Sequence, residues 1–264
     1  MKNAGKTRWA AAGLALALAW SAGETRPVAA SAGTAPREYS GSQKGKNKKG
    51  TVETGVLVED HGTLKIQVDG QPAGSEEFEI KESGGEWTAR GTAEVAEENG
   101  GAAKVTGKLT LAADGVPLRY EWTASGSRKA SGAVAFEGTL AKMESKLEGA
   151  AGPFTQEYHF NAPPVVILDN NMYHQYEILA RLYDWEHKEA KTFSVLIPQD
   201  LTPGSVTAEY GGQQLVDERK VDVLRVRSTD LEIDLFCDPE RGERLVRLEV
   251  PSAKAVIVRQ TGKK

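Results

Sequence analysis

The chain has 264 residues, of which 39% are hydrophobic and 27% are charged. This balance is typical of a globular protein and excludes a collagen-like, wholly disordered or polytopic membrane protein. The single cysteine, Cys237, excludes an intramolecular disulfide framework and a cysteine-rich zinc or iron–sulfur site.

The N-terminal segment predicts export. Lys2, Lys6 and Arg8 precede an apolar run at residues 9–22. A basic start followed by a short apolar run is the pattern of a signal peptide, whereas a membrane-spanning helix needs about 20 apolar residues. We therefore expect residues 1–32 to be a cleaved signal peptide and the mature protein to be periplasmic or secreted.

Charge separates the next segment from the rest of the chain. Residues 33–50 are small and polar, include a cluster of four lysines and lack an apolar period, which predicts a flexible basic linker. Residues 51–264 carry 24 basic and 35 acidic residues, so their net charge is about −11. We expect these residues to form a single β-rich domain, and their acidity disfavours binding to nucleic acid.

Apolar and polar residues alternate through most of residues 51–264. The apolar members recur at Leu64, Ile66 and Val68, at Leu118, Tyr120 and Trp122, and at Leu231, Ile233 and Leu235. A period of two indicates half-buried β-strands. Pairs such as Asp69-Gly70 and Gly84-Gly85 separate the runs, which predicts tight hairpins and an antiparallel meander. The runs add up to roughly fourteen or fifteen strands.

Residues 172–185 show the period of a helix instead. Their apolar band alternates with polar positions at His174, Glu177 and Arg181. Asp, Asn and Asn at residues 169–171 are residue types that cap helix N-termini. The pattern predicts one amphipathic helix at about residues 172–185.

Two architectures accommodate this number of strands, because a single flat sheet of that size would twist and curl. In the first, a mainly β fold, a large antiparallel sheet curls into a half-barrel with the helix against its concave apolar side. In the second, two β-sandwich domains are joined near Pro163-Pro164. The helix favours the first, since one amphipathic helix in an otherwise all-β chain suits the lining of a wrapped sheet.

The order of these features resembles a known group of proteins. A glycine-rich run containing AGSEEFEIKESGGEW is followed by one helix and by a terminal hairpin, DLFCDPERGERLVRLEV. With the export signal, this layout resembles uncharacterised bacterial secreted proteins related in shape to the LolA, LolB and LppX lipid carriers, over approximately residues 51–260. The resemblance implies a half-barrel over helical material with a hydrophobic cavity for acyl chains, and it implies no catalytic residues.

Recognisable catalytic and metal-binding motifs are absent from the sequence. It contains no P-loop, no GxSxG nucleophile elbow and no HExxH motif. His174 and His187 are thirteen residues apart, which is not the spacing of two ligands on one helix face. Cys237 follows an alternating run and is interpreted as a small packing residue. We therefore predict a protein that is not an enzyme and has neither a metal site nor a cofactor.

The functional hypothesis depends on the curvature of the sheet. A curled sheet can leave apolar space that holds a ligand, and Trp87, Trp122, Phe136 and Phe193 are the candidates to line it, although large aromatic residues most often fill cores. We expect an exported non-catalytic carrier or sensor of a lipid or other hydrophobic small molecule. Burial of an acyl chain would contribute about 0.8 kcal/mol per methylene group.

The alternative is an envelope structural or protein-interaction module with a filled core and exposed sheet edges that recruit a partner strand. Either protein could also contact the envelope peripherally. The identity of a ligand and the oligomeric state are not predicted by the sequence.

Overall fold

The computed structural model describes residues 56–260, apart from residues 98, 99, 128 and 230. The predicted signal peptide at residues 1–32 and the predicted linker at residues 33–50 lie outside the described residues.

The described residues form fifteen strands, one α-helix and three short 3-10 helices. The strands are β1 (Asp60–Val68), β2 (Gln71–Ser83), β3 (Glu86–Ala96), β4 (Ala102–Leu111), β5 (Pro117–Ser125), β6 (Ala130–Glu137), β7 (Leu140–Leu147), β8 (Phe154–His159), β9 (Val165–Ile167), β10 (Lys191–Ile197), β11 (Thr202–Val216), β12 (Arg219–Arg227), β13 (Glu232–Asp238), β14 (Arg244–Val250) and β15 (Ala255–Arg259). The helix α1 is His174–Leu182, and the 3-10 helices are Pro198–Asp200, Pro239–Arg241 and Pro251–Ala253.

All fifteen strands belong to one sheet, in the order β8-β7-β6-β5-β4-β3-β2-β1-β15-β14-β13-β12-β11-β10-β9. Neighbours pair antiparallel, except β9 and β10, which are parallel. The sheet is large, curled and not closed, which confirms the predicted mainly β fold. The alternative of two β-sandwich domains is wrong, because strand pairing continues without a break from one edge to the other.

The chain direction explains which strands are left at the edges. β1 and β15, the first and last strands, pair in the interior of the sheet. The open edges are therefore β8 and β9, which are consecutive in the chain. A parallel pair needs a crossover connection, and the chain between β9 and β10 contains α1, which packs against β13 and β14.

The predicted hairpins have the backbone geometry that their residues favour. Asp69 and Gly70 have φ of 49° and 73° between β1 and β2, and Gly84 and Gly85 have φ of 65° and 85° between β2 and β3. Positive φ at both central residues matches the twist of a two-residue hairpin to that of its strands.

The helix is shorter than predicted and is capped differently. It begins at His174 after Tyr173, which makes no side-chain capping bond, and ends before Tyr183, whose backbone is extended. The expected caps at residues 169–171 are not used, because the helix begins several residues later, with its cap position at Tyr173; the Asp169 carboxyl instead accepts hydrogen bonds from the amides of Asn170 and Gln199.

The polar side of α1 is also buried. Every residue from His174 to Arg181 is buried, including four with polar or charged side chains. The amphipathic pattern thus gives α1 an apolar side and a polar side, and both sides are buried inside the protein.

Candidate functional site

The four aromatic residues predicted to line a cavity are all buried. Trp87, Trp122, Phe136 and Phe193 belong to one continuous hydrophobic core, with exposed fractions of 8, 4, 9 and 0%. None of the four lines either of the two small interior cavities described next. The structure therefore places all four as core residues, the more frequent role of large aromatic side chains, and Trp122 also borders the open trough on the outer face of the sheet.

Two small cavities lie beside the segment that carries α1. One, of about 20 Å³, is lined by residues that include Asp169, Tyr173 and Ile233. The other, of about 10 Å³, lies between Tyr176 and Val226. A volume of about 10–15 Å³ holds one water molecule, whereas ligand pockets measure about 300–1,000 Å³. Neither cavity accommodates an acyl chain.

A buried carboxylate and a buried imidazole join β2 to the start of α1. His174 Nδ1 lies 2.5 Å from Glu76 Oε1, and the His174 amide donates to Glu76 Oε2 at 3.1 Å. The His174 ring also stacks on Phe78, with 5.7 Å between ring centroids. These contacts fix the N-terminal end of α1 against the inner face of the sheet.

A second polar group surrounds Asp169. The Tyr120 hydroxyl donates to Asp169 Oδ2 at 2.7 Å, and the Asp169 amide donates to Gln175 Oε1 at 2.6 Å. Burial raises the pKa of Asp169 to about 6, although hydrogen bonds from Gln199 and Tyr120 act in the opposite direction. Burial and the neighbouring Asp169 raise the pKa of Tyr120 well above its usual value.

An ionic cluster of five residues holds the second half of α1. Its members are Asp60, Glu177, Arg181, Arg244 and Arg259. Arg259 Nη2 lies 2.9 Å from Asp60 Oδ2 and 2.5 Å from Glu177 Oε2. Arg244 donates to both oxygens of Asp60, at 3.0 and 2.6 Å, and Arg181 donates to Glu177. The cluster therefore links α1 to β1, β14 and β15.

The two carboxyl groups of this cluster have opposite pKa shifts. Burial raises the pKa of Glu177 to about 8, against the charges of Arg181 and Arg259. Burial would also raise the pKa of Asp60, but its hydrogen bonding with Glu177 and the charges of Arg259 and Arg244 lower it to about 2. Such closely coupled carboxyl groups titrate as a pair.

Glycines let the strands approach this filled interior. Gly91 and Gly107 are directly paired across β3 and β4. A Cβ atom at Gly91 would lie 2.6 Å from Glu76 Oε1 and 2.7 Å from His174 Cε1, and one at Gly107 would lie 2.9 Å from the Tyr120 hydroxyl. Replacing either hydrogen by a methyl group would require buried neighbours to move.

The cysteine and the two histidines near α1 do not form a catalytic or metal-binding group. Cys237 is buried, and burial raises the pKa of its thiol well above the usual value, which disfavours the reactive thiolate. His187 is exposed and contacts Asp184, 2.8 Å away, while His174 is committed to Glu76. Within residues 56–260, as far as they are described, no group of three or more His, Cys, Asp and Glu side chains could hold a metal ion. No helix of this part is long and apolar enough to cross a membrane.

The larger hollows lie on the outer face of the sheet. An open trough of about 550 Å³ crosses β3 to β7 over the paired glycines, with Thr106 and Thr123 hydroxyls 2.7 Å apart along it. A second hollow of about 580 Å³ reaches β8. Charges along the trough are mixed, since Arg90 and Lys108 share its lining with Glu121 and Glu144. The trough therefore selects no class of ligand by charge.

β8 is the exposed edge of the sheet. The amide of Phe160 donates to the Thr139 carbonyl, and this bond, together with the antiparallel register, directs the backbone groups of residues 154, 156 and 158 toward β7. The N–H and C=O groups of Thr155, Glu157 and His159 point away from the sheet. The other edge strand, β9, has only three residues, all buried.

Apolar surface accompanies this edge. Phe154 is 48% exposed, and Leu147 of β7 is 59% exposed. Phe154 pairs with Ser145, so Leu147 lies two residues further along β7 on the same face of the sheet. Unpaired backbone groups next to exposed apolar side chains are the features with which an edge strand recruits another strand.

These features define a barrel-like, open β protein whose described part encloses two small cavities. The structure is similar to that of a β-barrel-like protein of domain of unknown function DUF1849 from Brucella abortus, with 12% sequence identity, a TM-score of 0.53, and coverage of 78% of this chain and 97% of that chain. At this identity the similarity supports the fold alone. Neither a family model nor a curated protein matches the sequence.

The ionic cluster and the Glu76–His174 pair were not predicted from the sequence. A signal for them exists, because Glu76 is in phase with Phe78 and Ile80 on the buried side of β2. Arg259 is likewise in phase with Ile257 on the buried side of β15. A charged residue in the apolar phase of a strand predicts a buried partner of opposite charge.

Proposed function

We propose that this protein is a non-catalytic structural and interaction module of the cell envelope that acts through the open edge at β8. The observation that carries the proposal is that the unpaired backbone groups lie at the β8 edge, while the interior cavities are small. The two small cavities inside the described part of the chain have room for about one water molecule each, whereas β8 has an unpaired backbone edge beside exposed Phe154 and Leu147.

The envelope location rests on the predicted signal peptide. A module with a packed core has no cavity for a ligand, so it would bind its partner on its surface. An extended segment of a partner can add to β8, because backbone hydrogen bonds supply affinity and alternate side chains supply specificity in such strand addition.

A hydrophobic carrier remains the other hypothesis. For it to operate, α1 would have to leave the interior and break the contacts of Glu177, Arg181 and His174 with the sheet. Removal of one partner from a buried ion pair costs about 3–5 kcal/mol, so such an opening would be rare without a strong driving force.

Site-specific photo-crosslinking in intact cells tests the proposal. A benzophenone amino acid would replace Thr155 in β8 or, as a control, Lys65, an exposed residue of β1 whose strand is paired on both sides. We expect a crosslinked product from position 155 and none from position 65. Equal products from both positions, or none from position 155, would contradict a role for the β8 edge.

A further inference from the structure

We infer that the strand recruited by β8 is β8 of a second copy of the same chain, in an antiparallel pair whose two-fold axis passes through Gln156. This inference rests on the proposed role of the β8 edge and specifies the partner at that edge. The β8–β8 pair would join the curled sheets of two copies into one continuous sheet with closed two-fold symmetry, the most common symmetry of soluble oligomers.

The hydrogen-bonding phase of β8 restricts the registers of such a pair. Only Thr155, Glu157 and His159 present N–H and C=O groups outward, and in an antiparallel pair these outward residues must face one another. A two-fold axis at Gln156 places Thr155 opposite Glu157 of the second copy. An axis at Glu157 would place the two Glu157 carboxylates directly opposite each other, and like charges at opposed positions destabilise a sheet.

A third register, with its axis at Tyr158, overlaps less of the strand. β8 ends at His159, so this axis would leave only residues 157–159 paired within the strands. The axis at Gln156 pairs residues 154–158. The register with its axis at Gln156 is therefore favoured, because it avoids opposed carboxylates and pairs more of the strand.

Side chains on the inner face support the same register. Phe154 would lie opposite Tyr158 of the second copy, whose ring is already buried and whose hydroxyl donates to the Leu201 carbonyl, so the exposed Phe154 ring would extend an existing apolar surface. Phe154 is 48% exposed in the isolated chain, so this pairing would remove apolar surface from water. On the outer face, the Thr155 hydroxyl would lie beside the Glu157 carboxylate. Pro153, which precedes the strand and lacks an N–H group, would end the ladder.

Sedimentation velocity over a concentration series of the purified exported chain tests this inference. We expect the wild-type protein to form a reversible dimer. Glu157→Pro removes an outward N–H group without removing a bond to β7, so it should abolish the dimer and leave the circular dichroism spectrum unchanged.

A pair of charge variants tests the register even if the proline variant does not fold. Thr155→Lys places a cation opposite Glu157 of the second copy and should tighten the dimer. Thr155→Glu should weaken it. Because the contact occurs twice by symmetry, each change should alter the dissociation constant by about two- to thirty-fold. Lys65→Glu, in the interior of the sheet, should have no effect.

Three results would overturn the inference: a monomer at all concentrations, a dimer retained in folded Glu157→Pro protein, or shifts in the same direction for both Thr155 variants. The mass of the product crosslinked at position 155 distinguishes failure of this inference from failure of the proposed function. Twice the mass of the chain supports the second copy. A different mass retains the role of the edge and rejects self-pairing.

Discussion

The substitution Gly91→Ala tests how tightly the interior is packed. The added methyl group would lie 2.6 Å from Glu76 Oε1 and 2.8 Å from His174 Nδ1. Both neighbours are buried and bonded to each other, so neither can rotate into solvent.

The expected cost follows from two effects. Overpacking of a well-packed core costs about 1–3 kcal/mol. If the methyl group also separates Glu76 from His174, the loss of their buried hydrogen bond costs about 1–3 kcal/mol more. We therefore expect Gly91→Ala to lower the free energy of unfolding by about 3 kcal/mol or more, a large fraction of the stability of an ordinary domain.

Urea unfolding followed by tryptophan fluorescence measures this change. Gly152→Ala is the matched control, because a Cβ atom there meets nothing within 4 Å and the backbone is not left-handed. The control should lie within about 0.5 kcal/mol of the wild type or be slightly more stable. A Gly91→Ala protein as stable as the control would refute the tight packing of α1 against β3.

Three further predictions concern the buried polar groups. Arg259→Met should lower the free energy of unfolding by about 3–5 kcal/mol, measured by urea unfolding at neutral pH, because the buried Asp60 carboxylate loses a cation and Glu177 loses a hydrogen-bond donor; a loss below about 1 kcal/mol would contradict the anchoring role of the cluster. Asp169 has a folded pKa of about 6 against 3.8, so its contribution to stability is complete below pH 3.8 and is lost as the pH rises through 6. Between pH 4 and 7 the wild type should therefore lose about 2 kcal/mol more than Asp169→Asn, and parallel profiles would contradict the shift. Cys237 should react with a thiol reagent only after unfolding, because its side chain is buried, and rapid labelling of the native protein would show that β13 opens.

The strands and turns could be predicted from the sequence because their signals are local. Alternation at Leu64 and Ile66 and the Asp69-Gly70 pair specify β1 and the turn after it without knowledge of any distant residue. The pairing of β1 with β15 depends on contacts between the two ends of the domain and has no such local signal.

The filling of the interior could not be predicted from the pattern of α1. Polar positions such as Glu177 and Arg181 occupy one side of the helix, and a solvent-facing or a partnered polar side gives the same sequence pattern. Whether the polar side of α1 faces solvent or has buried partners depends on Asp60 in β1 and Arg259 in β15. For the same reason the aromatic content of the sheet could not distinguish a lined cavity from a packed core.

The most direct test of the filled interior is native mass spectrometry of the protein released gently from its own envelope. We expect masses that correspond to the polypeptide and its assemblies alone, and no binding of a fluorescent acyl probe to the purified protein. A lipid retained at one molecule per chain, and displaced by that probe, would contradict the account and restore the carrier hypothesis.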